Sequence, residues 1–537
     1  MGVKPTDTKS SEVPQSLSTL PKRRLVTTVI GVLLGLLLAA LDQTIVATAL
    51  PRVVAELGGF EHFAWVFTAY MLASTVGLPI AGKLSDLYGR KPLYMIGIAV
   101  FMVGSILSGI SQSMMQLIVF RGLQGLGAAV IMANAFAIVG DLFPPAERGK
   151  WQGIFGAVFG IASIVGPLTG GFITDNLSWR WVFYINLPVG LAAAVVLLRA
   201  MPHIRATTAK RTIDFKGAAA LIAAAVSALL VFTWANNTYS WTSPQVVGLM
   251  VFSLIMFVLF WMLEKRAVDP VLPPTLFTNR IFNVAVGVVF LTGIAMFGAI
   301  IFLPLFMQTV VGTSATGSGA VLTPMMLSMV VGSFVSGQIV SRTGHYRFLG
   351  VAGLALMVIG LFLFSRMGTE TSYGTVVRNM VIMGAGLGTA FPSYIVSVQN
   401  AFPHRMLGVV TSSIQFFRSM GGTCGAAIMG SLLAARMTTY LSQTVAREVA
   451  SGTLLPDVAS AMADELSSSN ALNALNGLNG TGTISGVPEA FIDPLREALS
   501  SSLHDVFLLA MFITIAGAVL AVFLKEIPLR KSNLEPE

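Results

Sequence analysis

Asp42 is the residue whose setting most clearly implies chemistry. It is the only charged residue between Val26 and Leu50, in a stretch that is otherwise apolar apart from a few threonines and Gln43. A carboxyl at the centre of a bilayer costs about 2.5–3.5 kcal/mol on insertion scales, and loss of hydration favours its neutral form. Such a group can take a proton from one side of a barrier and release it to the other. Its carboxylate can also pair with a cationic ligand. Arg121 stands six residues into the apolar run 115–139, and Arg418 lies in Gln415-Phe416-Phe417-Arg418 within the run 409–436. Both guanidiniums stay charged, Arg418 as either a lock or a ligand. Gly82, Asp86, Gly89, Arg90 and Lys91 form a compact group in which two glycines seven apart permit close backbone approach beside an acid and bases.

These residues must be positioned by membrane helices. The chain has 537 residues, of which 55% are hydrophobic and 11% charged, and its mean hydropathy is +0.79. Soluble domains carry about 25% charged residues, so a soluble enzyme and a disordered chain are both excluded. A span needs about 20 apolar residues. The sequence predicts fourteen, at 26–50, 63–82, 93–111, 115–139, 151–173, 182–200, 216–236, 245–263, 281–310, 318–340, 348–366, 376–400, 409–436 and 505–525. The first run is too long for the apolar region of a signal peptide and contains Asp42, so it is expected to remain as a helix. With the N-terminus inside, 24 of the 33 basic residues fall in cytoplasmic segments and 7 in outer ones. That bias predicts cytoplasmic termini.

The predicted organisation is a cytoplasmic tail (1–24), a six-helix half (25–200), two additional helices (201–280), a second six-helix half (281–525) and a short cytoplasmic tail (526–537). The second half contains one long outer loop, 437–503, with acidic ends and an Asn/Gly/Ser-rich centre. It is expected to be a solvated excursion with short helices at each end, or a docking surface for a partner on the outer face. The halves share a repeat. Gly82 to Lys91 follows the second span, and Gly337-Gln-Ile-Val-Ser341-Arg-Thr-Gly344-His-Tyr-Arg347 follows the tenth. Ser341 replaces Asp86 in the second copy. Paired halves of this kind indicate alternating access.

The inventory narrows the chemistry. Between Ile281 and Arg436 the sole acid is Glu370, in an outer loop, so Asp42 is the one acid expected deep in the bilayer. The single cysteine, Cys424, forms no internal disulfide, and no Cys/His cluster has metal-ligand spacing. No GxxxxGK[ST] loop is present to cradle a nucleotide. Neither metal nor cofactor is expected, and the net charge of +9 is read as basic loops facing an anionic membrane surface rather than nucleic acid.

Four motifs, in order and on the appropriate spans, identify a family. They are Leu41-Asp-Gln-Thr-Ile-Val-Ala-Thr-Ala-Leu-Pro51, Gly82 to Lys91, Arg121-Gly-Leu-Gln-Gly125-Leu-Gly127, and Gly160-(x5)-Gly166-Pro167-(x2)-Gly170-Gly171. Trp179 to Pro188 and Leu303-Pro304-Leu305 add to them. Over nearly its whole length the chain resembles the major facilitator superfamily, and within it the fourteen-span drug:proton antiporters. The resemblance implies an all-α integral membrane fold of two six-helix halves plus two linker helices.

It further implies a monomeric, multi-pass protein of the plasma or inner membrane that exports amphipathic, chiefly cationic drugs in exchange for protons and so confers antibiotic resistance. The proton gradient would take the place of a cofactor. Arg121 would tune the protonation of an acid and couple it to conformational change. Asp86, at the N-terminus of another helix, would form a latch that breaks in one rocking state. Gly160, Gly166, Pro167, Gly170 and Gly171 would give a kinked, close-packed seam between halves.

Residues nominated for the substrate cavity are Asp42, Gln43, Trp65, Tyr70, Asn134, Phe297, Phe302, Gln308, Gln399, Asn400, Gln415, Phe416 and Arg418. Walls rich in aromatic residues and methionine suit large, varied ligands. An exporter of a lipid, siderophore or endogenous metabolite stays open as an alternative, as does a non-transporting sensor or scaffold. Because a buried acid is an expense, Asp42→Asn is expected to leave the fold largely intact.

Overall fold

The structure, a computed structural model, describes residues 21–58, 63–202, 214–235, 239–310, 322–450 and 492–530. Helices α1 (Lys22–Leu57), α2 (Phe63–Tyr88), α3 (Arg90–Gly109), α4 (Met114–Leu142), α5 (Pro145–Asn176), the single-turn α6 (Trp181–Tyr184) and α7 (Asn186–Ala200) form the first half. Then come α8 (Phe215–Trp234) and α9 (Pro244–Glu264). The second half comprises α10 (Arg280–Thr309), α11 (Thr323–Thr343), α12 (Tyr346–Ser365), α13 (Tyr373–Ala401), α14 (Leu407–Ala450) and α15 (Ile492–Val522). Among the described residues the only β interaction is one isolated bridge, Ala235 to Tyr239.

Side chains at the helix ends explain where several helices start. The Ser113, Ser243 and Ser372 hydroxyls accept from the N–H groups of Gln116, Val246 and Thr375, and the Asp214 carboxylate accepts from Gly217 N–H. Each satisfies a donor that the first turn cannot pair internally. The sharp α2–α3 turn requires Gly89, whose φ of 93° disfavours any residue with a Cβ. Gly344 occupies the corresponding turn of the second half with φ 77°.

Twelve described helical segments are long and apolar enough to cross a membrane. Two predicted spans, α10 and α14, are not among them. In α10 the side chains at 297–299 lie outside the described residues, and the described apolar stretch before them is Arg280–Met296. In α14, Thr411, Ser412, Ser413, Gln415, Arg418 and Ser419 dilute the apolar character.

The halves pack by the same rules. In the first, α2 packs on α4, α3 on α4, α1 on α5 and α1 on α7. In the second, α11 packs on α13, α12 on α13, α10 on α14 and α10 on α15. The halves meet through α5 against α11 and α2 against α14. The α8–α9 hairpin leans on α2 and α14, where Trp65 meets Trp234 edge to face and Trp241 Nε1 donates to Ser431 Oγ at 3.3 Å.

Within the predicted loop 437–503, α14 continues to Ala450 and α15 begins at Ile492, while 451–491 lie outside the described residues. Met437, Leu441 and Thr444, spaced along one face, are buried, as are Ala498, Leu499 and Leu503 on α15. Arg436 pairs with Asp505 at 2.9 Å and Arg447 with Glu497 at 3.2 Å. These extensions are amphipathic rather than uniformly apolar, so a search for apolar runs stops short of them.

Candidate functional site

Asp42 projects from the middle of α1 into the first half, where it is fully buried together with Arg121 of α4. Arg121 Nη1 donates to Asp42 Oδ2 at 2.5 Å. Gln124 Nε2 and Asn186 Nδ2 each donate to Oδ1 at 2.9 Å. Ser105 Oγ accepts from the same two amides at 3.1 and 2.9 Å and donates to the Phe183 carbonyl at 2.8 Å. Arg121 Nη1 also donates to Gln124 Oε1 at 2.7 Å. Its guanidinium carbon sits 4.2 Å from the Tyr70 ring centroid, an arrangement that favours a cation.

Arg121 Nη2 and Asn186 Oδ1 have no partner. The carboxylate is therefore held by three donors in a fully buried site, while two polar atoms of its shell have no protein partner. A proton on Asp42 would remove the charge that holds Arg121 and would oblige the shell to rearrange.

Sequence reasoning marked Asp42 and Arg121 but assigned no role to Gln124, Asn186 or Ser105. Gln124 had a usable signal, since three residues on from Arg121 it shares the same helix face. Asn186 sits in the Trp179-to-Pro188 motif. Among the described residues the cluster is not repeated in the second half. There, Gly360 lies against Met383 as Gly104 lies against Gln124, and Gly425 lies against Ile294 as Gly170 lies against Ile45. By this correspondence Leu291, Met380 and Met383 occupy the places of Asp42, Arg121 and Gln124.

A second group of polar contacts ties the halves together at the end of the bundle that carries the α2–α3 turn. Asp86 accepts from the backbone N–H groups of Gly408 at 3.1 Å and Val409 at 2.9 Å, in the first turn of α14. Arg90 holds both Asp86 at 2.6 Å and Asp141 at 2.7 Å. Arg148 donates to the carbonyls of Phe143, Gly140 and, across the interface, Gln399. Gly82 packs directly on Gly408 and Ser412.

Lys91, expected in this latch, instead donates to the Leu198 and Met201 carbonyls within the first half. It caps the free carbonyls at the end of α7. The latch is one-sided, because Ser341 donates only to Gln338 of its own helix.

Two predictions arise here. Hydrogen bonds to a charged group contribute about 1.5–3 kcal/mol. Asp86→Asn is therefore expected to shift the closed-to-open ratio of this end by roughly tenfold, which is about 1.4 kcal/mol. Turnover should fall several-fold with substrate affinity nearly unchanged. An unchanged rate with weaker binding would count against a latch.

The second concerns His404, which lies 3.5 Å from Asp141 across the interface. Burial pushes its imidazole below the ordinary histidine range, and Arg148 and Arg90 add to this, while Asp141 and Asp86 oppose it. The closed end therefore binds fewer protons than an opened one, and its stability rises with pH. That stability is complete above the exposed imidazole's value of about 6.5 and is lost as pH falls below it. Amide exchange at Gly408 and Val409 should accelerate on acidification, and His404→Gln should reduce the pH dependence.

The glycine motif of α5 divides between two neighbours, which corrects the expectation of a single seam between halves. Gly160 faces Val330 of α11, across the interface. Gly166 and Gly170 instead admit Thr44, Ile45 and Thr48 of α1 in the same half, and a Cβ on Gly171 would meet nothing. α5 runs through Pro167 without a break. The inter-half seam is built from Gly149, Gly153, Gly156 and Gly160 against Gly337, Phe334, Ser333 and Val330. Motif spacing alone cannot say which neighbour each glycine admits.

Several cavity nominees have structural partners. Asp42 is enclosed by its shell, and Tyr70 lies beneath Arg121 with its hydroxyl on the Ala39 carbonyl. Trp65 packs on α8. Asn134 accepts from Ser85 and donates to the Val130 carbonyl. Gln399 donates to Thr411 and the Phe136 carbonyl, bridging the halves. Asn400 holds the C-terminal segment through Pro528 and Arg530. Phe302 and Phe416 are core residues. Gln43 donates weakly to Met71 Sδ. Gln415 Oε1 is buried without a partner, and Arg418 stacks on Phe391 with its Nε unpartnered. The side chains of Phe297 and Gln308 lie outside the described residues.

Comparison with known proteins agrees with this architecture. The Bacillus subtilis (strain 168) multidrug transporter protein MdtP is 40% identical over 523 residues, covering 96% of this chain and 95% of its own. Multidrug resistance protein 3 of the same organism is 38% identical, covering 92% and 94%. The crystal structure of the human organic anion transporter MFSD10 (TETRAN) shares the fold, with a TM-score of 0.57 at 16% identity over 92% of this chain and 100% of that one. The sequence profile described as Major Facilitator Superfamily matches residues 32–426. The chain is thus a helical, multi-pass membrane protein that belongs to the major facilitator superfamily of transporters.

Proposed function

We propose that this transporter is a drug exporter driven by proton exchange, working by alternating access without a cofactor. The observation that carries the reading is the Asp42–Arg121 pair. It is a fully buried acid held by a permanent cation and two amides in the first half, with no counterpart among the described residues of the second. A proton arriving at Asp42 releases Arg121 from its partner, and a returning carboxylate recaptures it. That exchange gives the protein two internal arrangements for one proton. The latch at the α2–α3 end supplies a contact between halves that one arrangement keeps and the other breaks. The names of the two Bacillus relatives support multidrug export.

A cationic drug bound near this site would compete with Arg121 for the same carboxylate, so proton, drug and Arg121 would share one acid. We place fourteen spans in the plasma or inner membrane with both termini cytoplasmic, so that the latched end faces the cytoplasm, and expect a monomer to suffice. The test uses purified protein in proteoliposomes under an imposed pH gradient, with ethidium and a pH dye followed together. Ethidium movement with opposite proton movement is expected. Ethidium movement without a proton response would refute the coupling. No movement of ethidium would refute export of this cation.

A further inference from the structure

Arg418 is the charge that the proton cycle does not use. It lies eleven residues after Leu407 in α14, or about 16 Å along the axis at 1.5 Å per residue, near the middle of a 30 Å bilayer core. Its guanidinium carbon is 4.5 Å from the centroid of Phe391, so the side chain reaches from α14 across to α13. Its Nε is buried and has no hydrogen-bond partner, and among the described residues no carboxylate pairs with it. In sequence the flanking acids are Glu370, in the α12–α13 connection, and Glu448, near the far end of α14.

The contrast with Arg121 is informative. Both cations lie at membrane depth, but Arg121 is fully buried and has Asp42, the Gln124 and Val66 carbonyl oxygens and Tyr70, whereas Arg418 is half-buried. Arg418 has one aromatic face. The first half carries no such charge at the corresponding place. Gly166 and Gly421 make equivalent contacts with the first helix of their halves, so Ser163, three residues before Gly166, matches Arg418. Ser163 hydrogen-bonds the Phe159 carbonyl of its own helix. Arg418 is therefore an addition to the repeat and not part of its packing. A charge at this depth is costly and marks a ligand path unless a neighbour neutralises it.

We propose that Arg418 is an anion subsite of the transport pathway, taking the carboxylate of amphipathic organic anions or zwitterions. This deepens the export reading and rests on it. A guanidinium offers a planar fork of donors that fits a carboxylate with two parallel bonds. Phe391 already occupies one of its faces and fixes its plane, leaving the fork edge for the ligand. Gln415, three residues earlier on the same helix face, has a buried carbonyl oxygen without a partner and is placed to meet a polar group beside the carboxylate. An apolar body attached to the carboxylate would extend past the Phe391 ring. A cationic group on the same molecule would remain free for the acid of the other half.

The test compares two probes of the same hydrophobic body, 1-pyrenebutyrate and its methyl ester, binding to the full-length protein in nanodiscs. The wild type is expected to bind the carboxylate about tenfold more tightly than the ester, a ratio that corresponds to one charge-assisted contact. Arg418→Gln should bring that ratio close to one, and Arg418→Lys, which keeps the charge but not the fork, should leave part of it. A wild type that does not prefer the carboxylate overturns the proposal. So does a preference that survives Arg418→Gln, or an equal loss of both probes in a variant that still melts cooperatively. If Arg418→Gln does not fold, Arg418→Lys decides. A reduced but present preference supports the subsite, and an unaltered one overturns it. Ethidium–proton exchange by the wild type is measured separately, so failure of the export reading is distinguishable from failure of the subsite.

Discussion

Asp42→Asn is expected to reduce proton-linked export to the level of protein-free vesicles and also to lower the melting temperature of the purified protein. The first effect follows from removing the group that binds the proton. The second corrects the simpler argument that neutralising a buried acid relieves an expense. Arg121 is equally buried and has Asp42 as its ion-pair partner. With an amide in place of the carboxylate, a permanent cation is left with the Gln124 and Val66 carbonyl oxygens and the Tyr70 ring.

Removing one partner of a buried pair costs about 3–5 kcal/mol, whereas removing both is often close to neutral. The double substitution Asp42→Asn with Arg121→Gln should therefore recover much of the lost melting temperature and none of the transport. Melting curves in nanodiscs and ethidium–proton exchange in proteoliposomes measure the two effects independently. A double variant that melts as low as the single one would show that the isolated Arg121 is not the source of the instability. Export against a gradient by either variant would show that Asp42 is not the proton carrier.

That correction shows what the sequence carried and what it did not. A charge in an apolar run is visible at once, so Asp42 and Arg121 stood out. Their contact joins positions 79 apart and depends on how α1 packs on α4, which no local pattern encodes. Asp86 was legible as an acid seeking a helix N-terminus, because a glycine-bounded turn can bring it close to one. That the helix would be α14 of the other half was not. Gln399 and Asn400 looked like cavity residues because they are polar at the end of a span. Their partners are Phe136 of the first half and the C-terminal segment around Pro528, both far away in sequence. The apolar periodicity located the helices well, and failed where α14 and α15 leave the apolar core and bury only one stripe.

Gly82→Val is expected to abolish rapid turnover by excluding the arrangement seen here. Gly82 lies within α2, so a larger residue does not disturb the helix itself, and valine is no worse than glycine in a helix interior. The obstacle is the other half. A Cβ at this position would overlap the Ser412 hydroxyl and lie 2.6 Å from the Gly408 carbonyl oxygen. The hydroxyl can rotate, but the carbonyl belongs to the first turn of α14, whose N–H groups are held by Asp86. The clash can be relieved only by moving α14 away, which also breaks the Asp86 contacts.

Overpacking of this kind costs about 1–3 kcal/mol, enough to move a two-state balance by roughly 5- to 150-fold. The protein should remain folded and still bind substrate, with this end held open. The amides of Gly408 and Val409 report directly, because their hydrogen exchange should become much faster than in the wild type. Adding Ser412→Gly removes the hydroxyl overlap but not the carbonyl one, so it should restore little of the turnover. Normal turnover with unchanged protection of those two amides would mean that the halves tolerate a side chain at Gly82, and that their closure does not depend on backbone contact there.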